Sequence, residues 1–262
     1  MKTIKTIILI MFAITFTKIY AGKNEQWIDI GLRIAPSSTW MLNGNMLQDK
    51  NIKYTPSFGF FGGAKFGFNF NEVVAINIEG LYDKFNQSFK SSMDSISWNI
   101  KTQLTYIDIP VLLRFTNGWK YYEVGVNFQS LKSVKGAYTS EQSISSVYNN
   151  FAYPSNDRFN KSNTSIILGW GSAIWGFGGM VLSTGIRLSY GLTDITGENY
   201  KGQNYPYPQY PGYKPDPVAP DGVPYKKTKN LSASFMFSID YDLGYFLSSN
   251  CKRKHAFVLF SH

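Results

Sequence analysis

From Thr105 to Phe115 the chain reads TYIDIPVLLRF, and its apolar and polar positions alternate one by one. Thr105, Ile107, Ile109, Val111, Leu113 and Phe115 form one set; Leu104, Tyr106, Asp108, Pro110, Leu112 and Arg114 form the other. A period of two is that of a β-strand, whose successive side chains point to opposite faces. Trp27 to Ile34 repeats the pattern, with Ile28, Ile30, Leu32 and Ile34 opposite Asp29, Gly31 and Arg33. A second strand sets Phe58, Phe60, Gly62, Ala64, Phe66, Phe68 and Phe70 against Gly59, Phe61, Gly63, Lys65, Gly67 and Asn69. In a third, Val74, Ile76, Ile78, Gly80 and Tyr82 back onto Ala75, Asn77, Glu79, Leu81 and Asp83. The Thr105 stretch is the fourth. Tyr122, Val124, Val126 and Phe128 face away from Tyr121, Glu123, Gly125, Asn127 and Gln129 in a fifth. The sixth begins near Ser165, where Ile167 blurs the contrast between faces. The last two place Leu182 to Leu192 against Ser183, Gly185, Arg187, Ser189 and Gly191, and Leu231 to Tyr241 against Ser232, Ser234, Met236, Ser238 and Asp240.

About eight strands result, and their connections alternate between long and short. Polar loops are expected over 36–56, 85–96, 132–163 and 196–229; tight turns at Asn71–Glu72, Thr116–Gly118 and Gly176–Gly179. Outer-membrane barrels have this asymmetry, with long external loops, short periplasmic turns and an even strand number. The fold class expected is therefore all-β, an antiparallel transmembrane β-barrel of about eight strands, with both chain ends in the periplasm. A secreted, soluble barrel or sandwich with inverted faces is the alternative. The polar face decides against it, being mostly Gly, Ser and Asn, which suits a crowded interior better than a solvated surface. Rows of Phe and Ile from eight strands would also overfill a barrel that is only just wide enough for side chains. With the apolar set toward lipid, register is pinned: a one-residue slip would turn Asp108 and Arg114 outward, at ~2–4 kcal/mol for a base at mid-bilayer. Pro110 lacks an N–H for the ladder, so a bulge is expected there.

Composition adds the compartment. Charged residues make up 16% and aromatics 17% of 262 residues, a balance suited to strands and interfaces. Lys2 and Lys5 precede an apolar run from Ile7 to Phe16, and Ile19–Ala21 give a cleavage site, so residues 1–21 read as an export signal. Residues 22–247 then form the barrel, and 248–262 a basic tail. Cys251 has no partner for an internal disulfide. The formal charge of +9 falls to +6 without Lys2, Lys5 and Lys18, and with no nucleic-acid motif the excess does not imply a nucleic-acid partner.

Three stretches resemble a known family. YIDIPVLLRF at Tyr106–Phe115, EGLYDK at Glu79–Lys84 and RLSYGLTDI at Arg187–Ile195 are similar to recurring strand motifs of the PorT-like outer-membrane β-barrel proteins of Bacteroidetes. The likeness spans nearly the whole mature chain. It implies the same fold and the outer membrane. The founding member serves the type IX protein secretion system, whereas most members share only the barrel. The chain runs on past its last clear strand, so a terminal aromatic strand ending at Phe246 and one ending at Phe260 both remain open.

Candidate chemistry lies in two places. The inward charges Asp29, Arg33, Lys65, Glu79, Asp83, Asp108, Arg114, Glu123, Arg187 and Asp240 are expected to pair and plug a narrow lumen. The loop over 196–229 interleaves Tyr200, Tyr205, Tyr207, Tyr210, Tyr213 and Tyr225 with seven of the eleven prolines. Rigid aromatic faces on an extended segment suit binding of a protein or sugar, or an ordered cap over the mouth. Trp27, Trp119, Tyr121 and Tyr122 read as interfacial girdle. The only histidines, His255 and His262, lie in the tail, so no His-based nucleophilic site, transition-metal site or cofactor is expected. The expected partners are outer-membrane lipid and envelope or secretion-system proteins. Three functions stay open: a non-enzymatic barrel assisting an envelope assembly, a surface-binding barrel using the Tyr/Pro loop, and, more remotely, a lipid- or peptide-modifying enzyme.

Overall fold

The computed structural model describes residues 26–44, 47–48, 52–93, 96–140, 151–152, 158–198, 226–248 and 255–259. The strands are β1 (Gln26–Asn43), β2 (Ile52–Thr55), β3 (Phe58–Asn69), β4 (Val74–Met93), β5 (Ile96–Asn117), β6 (Lys120–Ser140), β7 (Phe151–Ala152), β8 (Ser162–Phe177), β9 (Met180–Gly191), β10 (Thr228–Ser248) and β11 (His255–Leu259). Eight of them form one antiparallel ring in the order β1-β3-β4-β5-β6-β8-β9-β10, and β10 returns to pair with β1 from Gln26↔Phe246 to Asn43↔Thr228. In hydrocarbon no water can satisfy an open strand edge, so closure is what allows such a sheet to cross a bilayer. Short β2 and β7 attach to β4 and β6, and β11 to β10.

Local chemistry sets the three tight turns. Asn71 Oδ1 accepts hydrogen bonds from the N–H groups of Val73 and Val74 at 2.8 and 2.9 Å, closing the β3–β4 turn. Gly118, at φ +59°, opens the turn into β6, and the Gly178–Gly179 pair, both at positive φ, returns β8 into β9.

The face assignment follows the alternation. Ile30, Leu32, Ile34, Phe66, Ile76, Ile78, Ile109, Val111, Val124, Val126, Phe128, Leu168, Trp170, Phe235, Phe237 and Ile239 are exposed on the outside, while Arg33, Lys65, Glu79, Glu123, Arg187 and Asp240 are buried inside. The sixth strand, ambiguous in sequence, resolves the same way, with Ile166 outward and Ile167 buried.

Two expected loops are largely strand, and a third is partly so. β1 runs on to Asn43 and β2 occupies Ile52–Thr55; β4 and β5 continue as one long hairpin through Met93 and Ile96; β6 reaches Ser140. The 20–22 residues of β4, β5 and β6 are about twice the ~9–11 needed to span a membrane. Along β4 the outward row is Val74, Ile76, Ile78, Gly80 and Tyr82, then Lys84, Asn86, Ser88 and Lys90; the inward row ends Phe85, Gln87, Phe89. Polarity inverts between Tyr82 and Lys84 while the alternation itself is unbroken. Below that level the outside is greasy and the interior polar; above it the outside is polar. There the interior holds Met41, Phe85, Phe89, Leu104, Tyr106, Val134, Phe159 and Ile195 as an apolar core. The barrel thus rises beyond the lipid as a water-facing turret.

Two further expectations change. No bulge forms at Pro110: its register with Asn127 on β6 is regular, and instead the β4 ladder lapses between Ile78↔Val111 and Leu81↔Asp108. The bulge lies at Thr105/Tyr106, opposite β6. Tyr121 is not interfacial, being 2% exposed inside the barrel, whereas Trp119 and Tyr122 are exposed. At the other end β10 runs to Ser248, and β11 pairs along Gly244–Ser248, on the edge that the shorter β9 leaves after Tyr241. Residues 1–21, the basic run Cys251–Lys254 and Phe260 lie outside the described residues.

The inversion level is testable on one face of one strand. Ile78→Arg should cost ~2–4 kcal/mol in urea titrations of the barrel refolded into vesicles, and Ser88→Arg ~0–1 kcal/mol, since the penalty for a base falls away from the bilayer midplane.

Candidate functional site

The strand parity that turns apolar side chains to lipid brings the ten expected charges to the lumen, and the structure sorts them into levels. Nearest the short turns, Lys65 Nζ lies 2.6 Å from Asp29 Oδ1 and 2.9 Å from Asp240 Oδ1. Asn69 Nδ2 donates to Asp29 Oδ2 at 2.6 Å. Glycines on neighbouring strands make this level possible: a Cβ at Gly67 would meet the Asp29 carboxylate and one at Gly31 that of Asp240. Arg114 stands next, 3.7 Å from Asp240 Oδ2 and 4.0 Å from Glu123 Oε1, with its guanidinium 3.9 Å from the centroid of the Tyr121 ring. Gly171 and Gly185 leave the space that the Tyr121 hydroxyl occupies.

The central level draws one residue from every second strand of the ring: Arg33 on β1, Glu79 on β4, Glu123 on β6 and Arg187 on β9. Arg33 Nη1 is 2.7 Å from Glu79 Oε1 and its Nη2 3.1 Å from Glu123 Oε1. Arg187 donates from Nη1 to Glu79 Oε2 at 2.8 Å and from Nη2 to Glu123 Oε2 at 2.9 Å. Each arginine therefore bridges both glutamates. Their side chains are 0–3% exposed, so the four charges meet one another across the lumen away from bulk solvent. Met236 sulfur accepts from Arg33 at 3.4 Å, and Asn77 Nδ2 donates to Glu123 at 3.5 Å.

Asp83 and Asp108 differ from the other eight. They face inward on β4 and β5 and enter no ion pair among the described residues. Asp108 Oδ2 instead accepts from Asn127 Nδ2 at 2.7 Å and Gln129 Nε2 at 2.8 Å. Asn163 Nδ2 donates to Gln129 at 2.6 Å, and the Thr193 hydroxyl donates to Asn163, extending the amide chain toward the turret. These amides, together with Tyr121 and Met236, complete the lumen and were not among the expected site residues. For Asn127, Gln129 and Tyr121 the signal was parity with Glu123, and for Met236 parity with Asp240, whereas Asn163 fell in a stretch expected to be loop. No described group of three or more His, Cys, Asp or Glu side chains is arranged to hold a metal. The expected binding tyrosines, Tyr200, Tyr205, Tyr207, Tyr210, Tyr213 and Tyr225, lie outside the described residues.

A closed ring with a lipid-coloured exterior and a charge-crossed lumen agrees with what the sequence is similar to. A family model described as an outer membrane protein beta-barrel domain matches residues 24–197. The chain belongs to this family. It is an outer-membrane protein, and the match takes in β1 to β9 while β10 closes the ring after it. Among solved structures it is similar to Neisserial surface protein A at 10% identity, covering 82% of this chain and 96% of that one with a TM-score of 0.35. OprG from Pseudomonas aeruginosa gives 12% identity, 84% and 96% coverage and a TM-score of 0.35. Ail, the attachment invasion locus protein of Yersinia pestis solved with the heparin analogue sucrose octasulfate, gives 13%, 82%, 99% and 0.33. No curated protein matches the sequence.

Breaking the central level should be costly. Glu123→Ala removes the acid shared by Arg33 and Arg187 and strands buried charge, so unfolding free energy should drop by ~3–5 kcal/mol in urea titrations of the vesicle-inserted barrel. Replacing exposed Glu72 in the same way should leave it within about 0.5 kcal/mol.

Proposed function

We propose that this outer-membrane barrel is a non-enzymatic, PorT-like member of its family that anchors or assists an envelope assembly, with protein secretion of the type IX kind as the assembly to test first. The observation that carries the reading is the central Arg33–Glu79–Glu123–Arg187 level, which fills the lumen with mutually paired charge. A barrel of about eight strands blocked in this way offers no solute path, so its work falls to its surfaces. Those surfaces are the lipid-facing belt, the polar turret with its loops, and the periplasmic end where β11 extends the β10 edge. Support for the PorT-like assignment comes from the YIDIPVLLRF, EGLYDK and RLSYGLTDI stretches. Lipid on the outside and envelope proteins at either end are the partners this reading requires. Deleting the gene in its host should lower export of secreted proteins while the outer membrane stays intact. Unchanged export would remove secretion and leave anchoring.

A second reading, surface binding by the Tyr/Pro loop, is favoured by the neck from which that loop rises. Asp194 Oδ1 accepts from the N–H groups of both Thr196 and Thr228 at 3.1 Å, and Ile195 N–H donates to the Thr228 carbonyl at 3.0 Å. Asn43 Nδ2 holds the Lys226 carbonyl at 2.9 Å. The loop's two stems are thus clamped together over the apolar core of the turret. Replacing 199–225 with a short Gly/Ser linker should preserve the heat-dependent mobility shift of the folded barrel on detergent gels. On this reading the same change abolishes adhesion of cells to glycan or protein arrays.

A further inference from the structure

Among the described residues the ion pairs of the lumen match Arg33, Lys65, Arg114 and Arg187 with Asp29, Glu79, Glu123 and Asp240, and leave Asp83 and Asp108 without a cation. These two are neighbours. Asp83 sits opposite Tyr106 and Asp108 opposite Leu81 on the paired strands β4 and β5, a diagonal separation of roughly 7–8 Å between backbones. Both line a lumen cavity of about 30 Å³ that also has Asn127, Gln129 and Asn230 in its wall. Asp83 is half-buried and Asp108 4% exposed; while Oδ2 of Asp108 takes two amide donors, its Oδ1 takes none. Asn127 and Asn230, 3% and 4% exposed, likewise leave Oδ1 unpartnered; their Nδ2 groups are engaged by Asp108 and by the Tyr106 hydroxyl. Arg187 reaches the wall, but its Nη groups are held by Glu79 and Glu123, and only its Nε–H lacks a partner. One small void therefore gathers two carboxylates and two amide oxygens with no matching positive charge.

A cavity of this size admits a water or a single ion. Water satisfies acceptors but does not neutralise charge, and a buried charge must be paired, coordinate a metal or be discharged by a proton. All-oxygen ligands without thiolate or imidazole select hard cations over zinc or copper. We propose that the barrel carries one resident divalent cation of the calcium class, held by the Asp83 and Asp108 carboxylates and Oδ1 of Asn127 and Asn230, with water completing its shell. Phe85 of the apolar turret core and Arg187 of the Arg/Glu level both line the cavity, so the ion lies between the two. Its role is structural, tying β4, β5, β6 and β10 together at the height where the interior changes from polar to apolar.

The full mature chain is refolded into detergent micelles with millimolar calcium or with EDTA, passed into chelator buffer, and assayed for bound metal and for the temperature at which its compact band converts on a gel. One calcium per barrel and a higher conversion temperature are expected after refolding in calcium. Asp83→Asn/Asp108→Asn should lose both the metal and the shift while keeping a compact band, and Glu72→Gln should lose neither. Should the double variant not fold, Asn230→Ala removes a single ligand and should weaken calcium retention at least tenfold. No divalent ion retained by the wild type, retention of sodium alone, or equal calcium in the double variant would overturn the proposal. So would equal conversion temperatures in calcium and EDTA with Asp108→Asn raising both, the signature of carboxylates that carry protons.

Discussion

Closure of β1 onto β10 is the constraint from which the rest of the molecule follows. In hydrocarbon an unpaired N–H or C=O costs several kcal/mol, so each spanning strand needs a partner on both sides, and only a ring provides that without an edge. A ring of strands in turn sends alternate side chains to lipid and to a narrow interior. That interior cannot take eight rows of large apolar residues, so it is built from glycines, amides and charges, and those charges must find one another away from water. The bridging of Arg33 and Arg187 across Glu79 and Glu123 is thus a consequence of closing the sheet. The same need for a covered edge accounts for β11, which lies along the stretch of β10 that β9 is too short to reach.

Within the membrane the sequence was highly legible because two solvents of opposite character act on the two faces of every strand. Ile28 to Ile34, Val74 to Tyr82 and Tyr122 to Phe128 could each be assigned a side from parity alone, and closure into a ring of eight followed from their number. Legibility ended where the outer solvent changed. From Phe85 to Phe89 the chain still alternates, but its outward residues are Asn86, Ser88 and Lys90, and a stretch rich in Ser, Asn and Lys reads as loop when greasy outward rows are the guide. The inward row Phe85, Gln87, Phe89 was the available signal, an ordinary half-buried strand of opposite phase. Pro110 misled for a different reason: a missing N–H can be absorbed by a lapse in one ladder, with no extra residue needed. Pairing between lumen charges was less legible than their direction, because parity says which way Asp83 points and nothing about what lies across the barrel.

The levels of the lumen relate structure to role. Polar contacts dominate near the short turns, the four-charge level fills the middle, an acid-rich void follows, and an apolar core closes the turret. Such an interior makes a rigid post rather than a conduit, and it presents the long external loops from a base clamped by Asp194 and Asn43. The proposed role, holding other envelope components in place, would draw on such a post with surfaces in two compartments.

Both the lipid boundary and the lumen require β4 to keep one face outward from Val74 to Lys90 and to leave the lipid after Tyr82. With Cys251 changed to serine, single cysteines placed at successive positions from 74 to 90 can carry a fluorophore in vesicles containing doxyl-labelled lipid. Quenching should alternate, strong at positions 76, 78, 80 and 82 and weak at 75, 77, 79 and 81, and should vanish from 84 onward. Quenching that persisted at 86, 88 and 90, or that followed the odd positions, would contradict the lipid boundary or the face assignment respectively.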